Sequence, residues 1–222
     1  MAWPSLARKG VGLMPDEPLD VTELYDGVDR VLGLLGTDGR AAGDCKFGVY
    51  LFSDYDGEPI YVGQTREQLR TRIRRHLTNQ RTDAVAMRVL DPFEVAAIEM
   101  WPFWDLHEKT DEVIKDTLDR AEFTVYQQAL ADSLFNAVLN EGDIPEAELI
   151  ELPTSVRGEI LSDASRTKRE HPDIRIARRA RTIADLARVI SERKVQTGIR
   201  RTLWVQAQRL EYLARKRLGD VS

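Results

Sequence analysis

The sequence predicts an α+β fold in which a mixed core is followed by a basic helical tail. Two segments of alternating residues, separated by Asp56-Gly57, indicate a β-hairpin. A helical pattern, a third strand and another helical pattern follow, which gives the order β, β, α, β, α. Turn residues and acids at 140–148 then mark a boundary. We therefore expect an N-terminal helical region, the core and the basic tail at 1–46, 47–140 and 141–222.

Each element follows from a local pattern. Asp20 offers an N-cap, and the apolar face after it predicts a helix over 20–35. Gly219 is expected to end the last helix of the tail. The remaining predictions are strands at 47–53, 59–64 and 93–101, and helices at 66–78, 110–134, 182–196 and 202–218.

Charge is distributed unevenly along the chain, whose net charge is −5. From Pro153 onward there are 17 basic residues against 8 acidic ones, so the rest is strongly acidic. Within that rest, residues 64–81 hold six arginines and one glutamate. Two basic regions on an acidic protein indicate a polyanionic partner, although arginines also commonly only solvate helix faces.

The composition excludes several kinds of chemistry. Cys45 is the single cysteine, which rules out an internal disulfide and a thiolate zinc site, and three scattered histidines disfavour an all-protein zinc site. The sequence has no glycine-rich phosphate loop, so we expect no nucleotide cofactor. It has no long apolar run and no apolar signal stretch in its first ten residues, so we expect a cytoplasmic protein with no membrane partner.

Both hairpin strands place a tyrosine beside a glycine, Tyr50 in GVY and Tyr61 in YVG. Alternate residues of a strand share a face. If the apolar neighbours form the core, both tyrosines lie on the other face, each with its glycine. Glycine permits a close approach to the backbone, but tyrosine is also an ordinary strand residue.

The helix after the hairpin adds positive charge. Arg72 and His76 lie one turn apart along the edge of its predicted buried stripe, so both point toward whatever the tyrosines face. The other arginines are spread around the helix and suit contacts with phosphate. These candidate DNA-binding residues are Arg66, Arg70, Arg74 and Arg75.

A carboxylate interrupts the apolar face of the following helix. Glu122 lies one turn from Leu118, and a carboxylate there is costly unless a partner neutralises it. That partner is either an arginine such as Arg72 or a metal ion. Just past the helix, Asn136 could cap it or bond a loop.

In this order, the residues resemble the GIY-YIG nuclease superfamily over roughly residues 46–140. The matching pattern begins with GVY and YVG, which leave ten residues between Tyr50 and Tyr61. Arg-x-x-x-His, a helical Glu and then Asn follow in that order. The resemblance implies a small antiparallel three-stranded sheet flanked by helices. It also implies a phosphodiesterase site, with one wall formed by the glycines and tyrosines.

The resemblance further implies a role for each matching residue. Tyr50 and Tyr61 would flank the scissile phosphate and the attacking water. Arg72 would bind the phosphate and balance its transition-state charge, and His76 would assist proton transfer. Which of the two tyrosines and His76 accepts the proton stays open.

Two further residues complete the implied site. Glu122 would be the lone protein ligand of a divalent ion, and Asn136 would order the site from the last loop. One carboxylate suits Mg²⁺, or Mn²⁺ in its place, since Mg²⁺ keeps several waters and takes further ligands from substrate phosphate.

Arg-x-x-x-His in a compact chain is most like the type II restriction endonucleases of this superfamily. We therefore expect a Mg²⁺-dependent DNA endonuclease, acting in restriction as a homodimer on double-stranded DNA. The tight hairpin departs from the longer insertions of restriction members. The alternatives are a repair or mobile-element (homing-type) nuclease, and a non-catalytic DNA-binding protein on this fold.

Overall fold

A four-stranded antiparallel sheet lies at the centre of the protein, in the order β2-β1-β3-β4. The structure is a computed structural model that describes residues 19–78, 90–140, 142–195 and 197–220. The predicted α+β class is confirmed. The strands are β1 (Gly48–Ser53), β2 (Pro59–Thr65), β3 (Ala97–Pro102) and β4 (Val156–Glu159). The helices are α1 (Leu19–Leu32), α2 (Leu69–Thr78), α3 (Asp111–Asp132), α4 (Asp163–Arg169), α5 (Pro172–Glu192) and α6 (Thr197–Asp220).

The predicted three-stranded sheet is wrong by one strand. β4 comes from the region predicted to be helical, and it pairs antiparallel with β3, with Val156 opposite Met100. Its four residues are too few to show a clear apolar alternation. Tertiary contacts define it instead: Ser155 donates to Glu99 at 2.6 Å. At Gly158, an added Cβ would lie only 2.6 Å from a methyl carbon of Leu34.

Several element boundaries differ from the predicted ones. β3 begins at Ala97 because Asp91 caps a 3-10 turn before it, accepting from the Phe93 amide at 2.9 Å. α5 begins ten residues earlier than predicted, with Pro172 at its first position. α6 continues past Gly219, which therefore does not end it. No helix in the described part of the chain combines the length and apolar character needed to cross a membrane.

The hairpin register places the two tyrosines on one face of the sheet, as predicted. Tyr50 is opposite Gly63, and Tyr61 is opposite Phe52. The other face carries Val62, which packs in an apolar cluster with residues of α3. The tyrosine face is covered as well, by an apolar cluster that includes residues of α1, α2, α5 and α6. The sheet is therefore buried on both faces, and Tyr50 has no exposed surface.

Two arginines of α5 are buried against acidic residues of the core. Arg175 donates to Asp56 at 2.6 Å and to Asp54 at 3.1 Å, both in the hairpin turn. Arg179 donates to Glu94 at 2.9 Å, just before β3. We call these five residues the buried ion cluster. It fixes α5 over the hairpin turn and over the start of β3.

A third buried arginine fixes α6 to the same end of the hairpin. Arg209 donates to the carbonyl oxygens of Pro59 at 2.8 Å and Ala137 at 3.2 Å. It also contacts Glu58 at 3.3 Å, and it is one of the largest fully buried side chains. Burial lowers the pKa of Arg209 to about 10, with the charge of Arg179 adding to the effect. The guanidinium nevertheless stays charged at neutral pH.

We predict that Arg179→Met destabilises the protein by about 3–5 kcal/mol, because it leaves Glu94 buried with too little compensating charge. The matched control is Arg188→Met on the same helix, since Arg188 is exposed and its ion-pair partner within the described part of the chain is Glu192. That variant should change the free energy of unfolding by less than about 1 kcal/mol. Urea denaturation of both variants measures the difference. Equal midpoints would show that the cluster adds nothing beyond a surface ion pair.

Candidate active site

Four of the predicted site residues lie together beside the hairpin. The His76 ring is centred 5.2 Å from the Tyr61 ring and 5.9 Å from the Tyr50 ring. The two tyrosine rings are stacked with their centroids 6.3 Å apart. The Arg72 guanidinium lies one turn before His76 on α2, close enough to Tyr50 to counter the rise in that tyrosine's pKa.

The glycines of the two motifs make room for the protein's own side chains. A Cβ at Gly63 would lie 2.4 Å from Tyr50 Oη, so only glycine lets the Tyr50 ring extend across β2. A Cβ at Gly48 would lie 2.7 Å from a methyl carbon of Leu69, the first residue of α2. One glycine therefore positions the phenol, and the other positions the helix that carries Arg72 and His76.

Three polar atoms of this group are buried and make no well-aligned hydrogen bond in the described residues, although the Tyr50 hydroxyl and the Arg72 guanidinium lie close enough to interact with each other. They are Tyr50 Oη, Arg72 Nε and His76 Nε2. Buried polar groups in native proteins are nearly always paired, so several exceptions in one place need a reason. Two phenol rings, an imidazole and a guanidinium can together bind a phosphate group and a water molecule.

Burial sets the protonation states of this group. It raises the pKa of Tyr50 far above its usual value, and the neighbouring Tyr61 adds to the rise. Burial, together with the charges of Arg72 and Arg75, lowers the pKa of His76 to about 4. At neutral pH the Tyr50 phenol is therefore un-ionised, and the His76 imidazole is neutral and able to accept a proton.

Glu122 is held by an amide group from β2. Gln64 Nε2 donates to Glu122 Oε2 at 3.0 Å and to Asp119 Oδ1 at 2.7 Å, so one amide bridges two carboxylates on α3. This amide, rather than a salt bridge to Arg72, is the side-chain partner of Glu122. Burial raises the pKa of Glu122, and the Asp119 charge adds to the rise. Burial tends to raise the pKa of Asp119 as well. Hydrogen bonds from Lys115 and Gln64 outweigh this effect, so the pKa of Asp119 is lowered.

The residues around Glu122 fit a hard divalent cation. No group of three or more potential metal ligands occurs among residues 19–78, 90–140, 142–195 and 197–220, so the described chain offers no all-protein cage. Glu122 and Asp119 lie one turn apart and supply only oxygen ligands. A cation there would relieve the repulsion between two carboxylates that now share one amide. A cation that keeps most of its waters suits such a small ligand set.

Asn136 and a second asparagine occupy different places. Asn136 is exposed in the turn after α3, with a positive φ of 47° that asparagine tolerates better than most residues. The side chain that reaches β2 is that of Asn140, which donates to Val62 O at 2.7 Å and accepts from Val62 N at 3.2 Å. Asn140 was not predicted as a site residue, although "LFNAVLN" contains both asparagines.

Gln64 and Asp119 were also missed. Gln64 lies on the same face of β2 as Val62, which packs against α3. A polar residue there, facing a helix that carries Glu122, was the available signal. Nothing in the local pattern distinguished Asp119 from the other acids of α3.

Three of the four candidate DNA-binding arginines form ion pairs within the protein. Their acidic partners lie on α1, in the loop before β1 and just before α2. The pairs are Arg70 with Asp44, Arg74 with Asp29 and Arg75 with Glu67. Arg66 is exposed at the end of β2, and its charge helps to lower the pKa of Asp119.

Residues 46–121 match the family model of the GIY-YIG catalytic domain. The matched segment contains the hairpin, both tyrosines, Arg72 and His76, and it ends one residue before Glu122. The match implies a nuclease-type function, since domains of this family are typically endonucleases. Searches of curated proteins and of solved structures gave no match.

We predict that His76 makes the protein less stable below neutral pH. Its pKa of about 4 in the folded protein lies below the ~6.5 of an unfolded histidine. Above pH ~6.5 both states are neutral there and stability does not depend on His76. As the pH falls, the unfolded chain takes up a proton first, which costs up to about 1.4 kcal/mol per pH unit until the folded pKa is reached.

Urea denaturation between pH 7 and pH 4.5 measures this effect. His76→Phe should remove its share of the decline, whereas His107→Phe, at an exposed histidine, should keep it. Parallel declines in the wild type and in His76→Phe would show that His76 is not the titrating group.

Proposed function

We propose that this protein is a divalent-metal-dependent endonuclease that hydrolyses phosphodiester bonds of DNA. The observation that carries the proposal is the convergence of two phenols, a guanidinium and an imidazole, from Tyr50, Tyr61, Arg72 and His76. Of their polar atoms, Tyr50 Oη, Arg72 Nε and His76 Nε2 are buried and without a well-aligned hydrogen bond in the described residues. These atoms lie within the segment that matches a nuclease family. A retired nuclease fold that only binds DNA would not need to keep such atoms buried without well-aligned hydrogen bonds.

The charges and protonation states support assigning a role to each group. Arg72 binds the scissile phosphate and offsets the negative charge that develops on its oxygens. His76, neutral at pH 7, accepts the proton of the attacking water as the water oxygen bonds to phosphorus. The bond from phosphorus to the leaving oxygen then breaks. The un-ionised Tyr50 hydroxyl donates a hydrogen bond to the phosphate or to the water, and Tyr61 forms the opposite side of the site.

Glu122 would hold the divalent cation, Mg²⁺ or Mn²⁺, with Asp119 beside it. Bound there, the cation would supply positive charge to the phosphate and to the leaving oxygen. Gln64 keeps the two carboxylates of α3 oriented and close together. Asn140 holds strand β2 by hydrogen bonds to both backbone groups of Val62. We also propose that Asn136 orders the site from the loop after α3.

We propose restriction of double-stranded DNA as the biological role, since the Arg-x-x-x-His pattern of Arg72 and His76 is most like that of the restriction endonucleases of this superfamily. Incubating the protein with plasmid and Mg²⁺ and mapping the cut ends tests this. Ends at one recurring sequence on both strands support a restriction enzyme. Cuts confined to damaged or branched DNA would indicate repair instead, and a single very long target would indicate a mobile-element nuclease.

We predict that Glu122→Gln lowers cleavage by at least about 10²-fold, because it removes the charged ligand of the cation while keeping the size of the side chain. DNA binding, measured by fluorescence anisotropy, should stay within about twofold, since no basic contact is lost. Direct titration with Mn²⁺ followed by electron paramagnetic resonance should show the loss of one bound ion.

The matched control is Glu112→Gln, at an exposed position in the first turn of the same helix. It should leave cleavage and Mn²⁺ binding unchanged. Unchanged Mn²⁺ binding by Glu122→Gln would place the cation elsewhere, whatever its effect on cleavage.

We predict that the protein acts as a two-fold homodimer on DNA. The matched segment provides one candidate active site per chain, and one site cuts one strand at a time. Cutting both strands at a palindromic sequence therefore calls for two copies related by the symmetry of the DNA. Light scattering on a cleavable duplex, with Ca²⁺ replacing Mg²⁺ to prevent turnover, should give two chains per duplex. A one-to-one complex that still makes double-strand breaks in Mg²⁺ would contradict the dimer.

A further inference from the structure

Most of the positive charge of the tail is neutralised inside the protein. At least eleven of its 17 basic side chains lie within ion-pair distance of a carboxylate. Some pairs are buried, as in the buried ion cluster, and others lie on the surface, such as Arg217 with Asp173 at 2.9 Å. The charge count of the tail therefore overstates what it can offer to a partner.

Of the six basic residues of the tail that remain, three lie where α5 connects to α6, and the others are Lys168, Arg178 and Arg181. Arg193 and Lys194 follow the end of α5, and Arg200 lies in the first turn of α6. All three are exposed, and none has a carboxylate partner in the described ranges. The first turn of α6 also contains no acidic residue. This connection therefore holds three uncompensated positive charges within eight residues.

An exposed tryptophan lies among these charges. Trp204 is 59% exposed and lies one turn after Arg200, so the two side chains share a face of α6. Arg201, beside Arg200, pairs with Asp143 at the edge of the same face. Tryptophan offers a flat ring that can stack on bases or pack against sugars, and arginines nearby can contact phosphates. We call Arg193, Lys194, Arg200 and Trp204 the connection surface.

The connection surface is tied to the candidate active site through one short loop. Asn140 bonds both backbone groups of Val62, which lies between Tyr61 and Gly63. Three residues further along, Asp143 pairs with Arg201. Because three residues span at most about 11 Å, the start of α6 lies within roughly 25 Å of the tyrosine motif of β2. One helical turn of a DNA duplex is about 34 Å long, so a duplex bound at the candidate active site is long enough to reach the connection surface within one turn.

We propose that the connection surface binds the sugar-phosphate backbone of the DNA substrate to one side of the bond that is cut. The inference rests on the proposed function, because it takes DNA as the substrate of the site. The net charge of the whole chain is −5, so a local excess of exposed cations is needed to hold a polyanion. An acidic protein surface could satisfy the same charges and the tryptophan, and we favour DNA because the connection surface lies near the candidate active site.

The test compares two triple variants that each remove three positive charges. Arg193→Gln, Lys194→Gln and Arg200→Gln together remove the unpaired cations. The control variant carries Arg157→Gln, Arg188→Gln and Arg215→Gln, whose side chains are exposed but pair with Glu99, Glu192 and Glu211. The probe is a fluorescein-labelled 30-base-pair duplex in Ca²⁺, with anisotropy recorded from 50 to 200 mM salt.

The connection-surface variant should bind at least tenfold more weakly than the wild type. The slope of the logarithm of its affinity against the logarithm of the salt concentration should become shallower, by the amount that corresponds to about two to three lost phosphate contacts. Trp204→Ala should weaken binding about fivefold with little change in the salt dependence. The control variant should stay within about threefold of the wild type. Equal losses in both triple variants, or no loss in either, would overturn the proposal.

Two further measurements keep this inference separate from the proposed function. Single-turnover cleavage at limiting DNA should fall in the connection-surface variant in proportion to its weaker binding, and the rate should rise toward that of the wild type as the DNA concentration is raised. If the wild type binds duplex but never cuts it, the proposed function fails while the binding comparison still decides the inference. If cleavage occurs and the connection-surface variant binds as the wild type does, the inference alone fails.

Discussion

The buried ion cluster is the constraint on which the arrangement of the whole protein depends. A buried charge is costly unless an opposite charge meets it with good geometry, so α5 cannot shift without exposing or stranding Arg175, Arg179 and their buried partners Asp54 and Glu94. Asp54 and Asp56 belong to the turn of the hairpin that carries Tyr50 and Tyr61. The tail is therefore part of the framework that holds the candidate site.

This arrangement changes the meaning of the charge asymmetry along the chain. An acidic core and a basic tail suggest a polyanion as partner, but six basic residues of the tail in fact pair with carboxylates of the core. The same holds on a smaller scale for α2, where Arg74 pairs with Asp29 of α1. Arg66 and the cations of the connection surface are exposed and form no ion pair in the described residues, which is why we propose them as DNA contacts.

Within the site, exclusion of water determines what each group can do. Burial keeps the Tyr50 phenol un-ionised and His76 neutral, so one residue is suited to donate a hydrogen bond and the other to accept a proton. Burial also makes the Glu122 carboxylate costly, which favours a cation beside it. Bringing a charged phosphate and a cation into this place together would satisfy atoms that lack well-aligned hydrogen bonds within the described protein.

The sequence alone determined the elements that depend on local patterns. The alternation around Tyr50 and Tyr61 fixed the hairpin and its faces, and the spacing of Arg72 and His76 placed both on the edge of α2. These features follow from the periods of strand and helix. The order of the motifs was enough to point to a nuclease family.

Only the tertiary structure decided which groups meet. β4 forms because Ser155 bonds to Glu99 and because Gly158 packs closely against Leu34, and both partners are far away in sequence. A four-residue edge strand is too short for its residue pattern to predict it. The pairing of Gln64 with Glu122, and of Arg179 with Glu94, joins residues 58 and 85 positions apart. Sequence gives the charge of such groups but not their burial. Burial, which only packing sets, decides whether an arginine is a framework residue or a free contact for DNA.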